Sequence, residues 1–182
     1  MDPAALFLVN VAWLHRRTRS LHSLLLMAVQ ANISLFNIGS VMVAFNKFND
    51  FAEQLGLGTH QLQAAGHTLK VYASNATPSA SLDTVKADLA EITVENGYPS
   101  GGTDIANDWS ETGGTATLVG TDVVWTASGG TFGPLRYIVL YNDTPVSPVD
   151  PLIGWWDYGS EVTPAASETF TVDFGASVLT LA

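Results

Sequence analysis

The chain has 182 residues, of which 47% are hydrophobic and only 13% charged, enough for one filled core plus an appendage. It has no cysteine, which excludes disulfides and thiolate metal sites. The formal net charge is −10, and of the 17 acids only Asp2 precedes Met42 while the bases beyond it are Lys47, Lys70, Lys86 and Arg136, a balance that repels phosphate backbones and argues against nucleic-acid binding.

Residues 1–41 differ in composition from the rest. A basic cluster, His15 to Arg19, precedes an apolar run from Leu21 to Phe45 that is interrupted by Gln30, Asn32, Asn37, Gly39 and Ser40. Three readings compete for this extension: a signal or membrane-anchor segment, a packed helix, or a start codon placed upstream of a natural start at Met42. The polar interruptions weaken a spanning helix, which needs about 20 predominantly apolar residues. A membrane role is expected only if residues 1–41 are a genuine anchor.

Residues 42–66 are expected to form an amphipathic helix and a linker. Within Phe45–Gly56, Phe45, Phe48, Ala52 and Leu55 fall on one face with Phe51 beside them, and Gly56 and Gly58 supply a stop. The stripe either packs on its own domain or reaches a neighbouring subunit as a docking arm.

Residues 67–182 are expected to form the body of the protein. Thr68–Ala73 alternates as a strand. Ser81 reads as an N-cap, and Leu82, Val85, Leu89 and Ile92 step by three and four, which predicts a helix of about three turns lying on the sheet. Glu95–Gly114 reads as loop. The runs ATLVG and VVWTAS flank Thr121-Asp122 and predict a tight hairpin. Leu135–Tyr141 is apolar on both faces, as a central strand should be. Phe170, Val172 and Phe174 alternate with Thr169, Thr171 and Asp173. Three prolines between Asp143 and Pro151 mark an exposed connector. The fold class that follows is mainly β: a single β-sandwich or jelly-roll-like domain of about seven strands with one or two short helices.

Titratable chemistry is sparse. His60 and His67 lack metal-ligand spacing, and Asp104, Asn107, Asp108 and Glu111 crowd a Gly-rich stretch without the EF-hand pattern, so they read as turn residues. There is no G-x-S-x-G elbow and no phosphate loop. The expectation is a non-enzymatic protein with no catalytic residue, metal or cofactor. Arg136 sits among apolar strand positions and needs an acid, and Asp157 is the preferred partner, with Asp173 the other acid on a strand. Trp155 and Trp156 are adjacent on one strand and must face opposite ways. Together with Tyr158 and the stripe of Phe45, Phe48, Phe51 and Leu55 they form a candidate interface, since interfaces enrich such aromatics. A homo-oligomer follows from that surplus of apolar surface.

The segments HTLKVYASNATPSAS (67–81), FGPLRYIVLYNDTP (132–145), PLIGWWDYG (151–159) and TFTVDFGASVLTL (169–181) resemble a group of small virion proteins of tailed bacteriophages encoded among head and head–tail genes. The resemblance covers about residues 42–182. It implies a structural part of the virion, assembled in the host cytoplasm, most simply a capsid decoration or cement protein. Its implied partners are copies of itself, with a trimer favoured by analogy, and capsid or tail proteins. It carries no catalytic residues across. A different class, a carbohydrate- or receptor-binding β-sandwich of a phage tail or a secreted protein, would show an exposed row of Trp and Tyr in a groove.

Overall fold

The computed structural model describes residues 44–182, so the reading of the 1–41 extension lies outside the described residues. The protein is mainly β, with antiparallel pairing throughout. Its elements are β1 (Asn46–Lys47), α1 (Asn49–Gly56), β2 (Leu69–Ser74), β3 (Thr103–Asp104), β4 (Asp108–Thr112), β5 (Thr115–Val119), β6 (Val123–Thr126), β7 (Leu135–Asn142), β8 (Leu152–Val162), β9 (Thr169–Val172) and β10 (Leu179–Leu181). A five-stranded sheet runs β1-β8-β7-β2-β3, and two small sheets, β10-β5-β4 and β6-β9, complete the strand set.

β7 is the centre of this architecture. Leu135, Ile138 and Leu140 enter one apolar cluster, while Tyr137, Val139 and Tyr141 enter another on the opposite face. Leu135 and Ile138 share a face although three residues apart, because the β7–β8 register shifts between Leu135 and Tyr137, a bulge that leaves Arg136 out of the alternation. On the first face Leu69, Val71, Ala73 and Ile153 meet Leu118, Val123, Trp125, Phe170 and Leu179 from the two small sheets and Val178 just before β10. The main core is thus packed between layers of sheet.

The second face is covered without a helix. Leu82, Val85, Leu89 and Ile92 predict three helical turns, yet only a turn of 3-10 helix forms at Lys86–Asp88. The backbone N–H groups there are taken by neighbours: Lys86 donates to Asp150 O (2.9 Å) and Ile92 to Ala73 O (3.0 Å), while Thr84 O accepts from Leu152 N (2.9 Å). Tertiary partners outcompete the i→i−4 ladder, and Leu82 ends up 77% exposed. Ser81 is not the cap. The Asp88 carboxylate accepts the N–H groups of Thr84 and Val85 at 2.9 and 3.0 Å, and these bonds hold it below the usual carboxylate range.

Two further expectations are corrected. β5 and β6 do not form a hairpin, because β5 pairs with β4 and β10 whereas β6 pairs with β9. The chain crosses between sheets at Gly120, where an added Cβ would press on Ile105 at 3.0 Å. The hairpin lies one strand earlier, inside the stretch read as loop. β4 and β5 pair Thr112 with Thr115 across Gly113-Gly114, both at positive φ (62° and 88°), as a two-residue turn requires.

Candidate functional site

The residues proposed as an interface are placed by β1, α1 and β8. β1 pairs with β8 through Asn46↔Trp155 and Lys47↔Gly154. This edge pairing brings the helix and its Phe stripe down onto the same sheet. Phe48 (0% exposed) and Phe51 (1%) are fully taken up by the domain's own core. Phe48 lies against Trp155 with ring centroids 4.5 Å apart, and Phe45 meets Trp156 edge-on at 5.3 Å. Leu55 packs against the main core. The docking-arm reading is therefore corrected for Phe48 and Phe51, since a side chain without exposed surface has nothing to offer a neighbour.

Trp155 and Trp156 do point to opposite faces. Trp155 packs with the cluster of Phe48, Tyr72 and Tyr141, and Trp156 with the main core, where it also contacts Phe174 at 5.5 Å. Tyr158 lies 5.7 Å from Phe170. All three are half-buried. Gly154 makes this possible: a Cβ there would collide with the Phe45 ring.

Arg136 and Asp157 form a two-pronged ion pair, with Nε to Oδ1 at 2.8 Å and Nη2 to Oδ2 at 2.9 Å. The Arg136 hydrogen bonds hold the Asp157 carboxyl below its ordinary range, helped by the Gly159 N–H. Both side chains keep over a third of their surface in water. The pair is a surface clasp across the bulge.

A second polar assembly was not legible in the sequence. Glu91 accepts from Lys86 Nζ (2.8 Å), Tyr98 Oη (2.9 Å) and the Gly101 N–H (2.9 Å). Lys86 Nζ in turn lies 4.9 Å from the centre of the Tyr72 ring and 5.7 Å from that of Tyr141. Burial pushes the phenols of Tyr72, Tyr98 and Tyr141 up, with nearby carboxylates adding to it in each case. Every polar end here meets a partner within the chain, which suits a structural clamp. Beside it Asn75, Ala76, Glu91, Ile92, Gly133 and Pro134 help to line a depression of about 260 Å³.

The oxygen-rich stretch of Asp104, Asn107, Asp108 and Glu111 is spent on backbone. Asp104 Oδ1 accepts from Ala106 N (2.8 Å), Asn107 Oδ1 from Leu69 N (3.3 Å), Asp108 Oδ1 from Ala64 N (3.1 Å) and Glu111 Oε1 from Gly114 N (2.6 Å). Among the described residues no group of three or more His, Asp or Glu could hold a metal ion, and no helix is long and apolar enough to cross a membrane.

His60 and His67 converge on one amide. Their Nδ1 atoms each lie 3.1 Å from Asn142 Nδ2 at the end of β7. His60 is 5% exposed, and burial, followed by the repulsion of His67, lowers its pKa to about 4. Sequence spacing hid this trio, because Asn142 is 75 residues or more from either histidine.

No protein-family model matches the chain, and no curated protein or solved structure is significantly similar to it.

Proposed function

We propose that the chain is a structural component of a tailed-bacteriophage particle, resident in the virion as a capsid decoration or cement protein or a head–tail accessory. The reading rests on the resemblance drawn from the sequence, and what supports it is where the segments that carry that resemblance fall. They coincide with β2, β7, the first part of β8, β9 and β10, three of which make up the middle of the main sheet. The resemblance is therefore to the framework of the domain rather than to one loop or motif. Ion pairs and hydrogen bonds that consume the polar groups internally are compatible with a part whose work is to present a surface.

Self-association, with a trimer favoured by analogy, and contact with capsid or tail proteins belong to the same proposal. The apolar side chains available for such contacts are Leu57, Leu82, Val146 and Val149, each at least 60% exposed, in place of the buried Phe stripe. Many weak copies of one contact on a symmetric lattice add up by avidity. The carbohydrate- or receptor-binding alternative receives less support, because Trp125 is buried and Trp155 and Trp156 are on opposite faces.

Mass spectrometry of purified particles tests the proposal. Peptides of this chain at a stoichiometry comparable with the capsid protein are expected. Their absence from particles, together with binding on a glycan array, would replace it with the alternative.

A further inference from the structure

The loop of residues 57–68 joins α1 to β2 and folds back on itself, with His67 N donating to Gln61 O and Gly66 N to Gln63 O, both at 2.8 Å. It delivers Leu62 into the main core and is tied to the body along its length: Asn107 Nδ2 donates to Leu62 O (2.7 Å), Ala64 N to Asp108 Oδ1 (3.1 Å), both histidines meet Asn142, and at its far end Thr68 N donates to Thr144 Oγ1 (2.9 Å) while Thr68 O accepts from Asp143 N (2.9 Å).

Donor and acceptor counting fixes the protonation of that last contact. The Thr144 N–H donates to Asn142 Oδ1 (3.3 Å), so the amide nitrogen is the end that faces the rings. An amide nitrogen only donates, and it has two hydrogens. Each therefore goes to one Nδ1, which must be an unprotonated acceptor, and both rings carry their proton on Nε2. A proton added to either Nδ1 sets donor against donor. The other charged groups near this point are engaged elsewhere. Asp143 pairs with Lys70 (2.6 Å) and accepts from Tyr141 Oη, and Asp108 holds the Ala64 N–H. His60 also lies against the Phe51 ring, 5.2 Å away, and among the described residues its buried Nε2 has no hydrogen-bond partner.

We propose that His60, Asn142 and His67 form a proton-sensitive clasp, which holds the stretch between α1 and Thr68 on the domain while the His60 ring is neutral and releases it when that ring is protonated, uncovering Leu62 and Phe51 as an apolar patch. The resting pKa of His60, about 4 against 6.5 in an open loop, sets the size of the effect. With His60 alone counted, the population of the open loop rises about twentyfold between pH 7 and pH 5.

The full chain tests this by two measurements. Long-range nitrogen–proton NMR at pH 7.5 should find both imidazoles in the Nε2–H form. Hydrogen exchange of the Gly66 and His67 amides, corrected for intrinsic rates, should accelerate about twentyfold from pH 7 to pH 5 while remaining faster than that of Val139 and Leu140 in β7. An acceleration of about threefold or more with this ordering supports the clasp. A smaller one, equal protection of loop and β7, or an Nδ1–H ring overturns it. Asn142→Asp replaces the donor by an acceptor and should reverse the sign, so that the loop amides become better protected as pH falls from 8 to 6. The same direction as wild type overturns the proposal, and if this variant does not fold, the wild-type measurements decide.

Discussion

A neutral histidine held in the interior makes a protein sensitive to acid. The folded His60 titrates at about 4 and the unfolded side chain at 6.5, so between these values the unfolded state binds the extra proton and stability falls as pH falls. The full effect is about 3 kcal/mol, complete only below pH 4. Denaturant midpoints measured from pH 7 to 4 should decline over that window, and His60→Gln should flatten the curve. The depressed carboxyls of Asp88 and Asp157 act lower down, since their contributions are present above the unfolded carboxylate range and vanish only when the folded groups protonate. Arg136 and Asp157 were legible as partners because a charge among apolar strand positions needs a counter-charge. What the sequence could not tell was their exposure, which changes the expected outcome. Asp157→Ala and Arg136→Leu should each lower the melting temperature by only about 2–3 °C, with the difference between them shrinking in salt, as for exposed pairs generally. A drop several times larger in either variant would mean the pair is shielded from water.

At the scale of elements, the position of Phe48 is decisive. Its ring is fully enclosed between the sheet and Trp155, so Phe48→Ala should cost about 3–5 kcal/mol of folding stability. Urea unfolding would measure this, and a loss below about 1 kcal/mol would contradict the packing. Gly154→Ala probes the same corner from the other side. The new methyl group would occupy the place of the Phe45 ring and press on the β1 backbone, so β1 should detach from β8 and the chain should become cleavable near Asn46 under limited proteolysis. Period-two alternation made β2 and β9 readable and an apolar run on both faces made β7 readable, because their burial depends on facing layers. β4 was not readable, since Asp108–Thr112 is mostly polar and exposed and owes its strand form to pairing with β5. The 82–92 segment shows the opposite failure: its spacing is helical, but hydrogen bonds to Ala73, Asp150 and Leu152 hold it open.

At the scale of the whole molecule, both apolar clusters use the same strands, β2, β7 and β8, from opposite sides. Neither can come apart without the sheet. Denaturation followed through Trp125 in one cluster and Trp155 at the other should give coincident transitions, and separate midpoints would show that the clusters are independent. The sheet order also sets a schedule for synthesis. Asn46 bonds to Trp155 across 109 positions of sequence, and β2 has only the two-residue β3 beside it until β7 exists. At a ribosomal pace of about 5–20 residues per second, β1 and the aromatic rings that follow it remain without their sheet for about 5–20 s after they emerge. The nascent chain must therefore keep those rings from other polypeptides until β8 has emerged, so the sheet cannot assemble strand by strand from β1 onward.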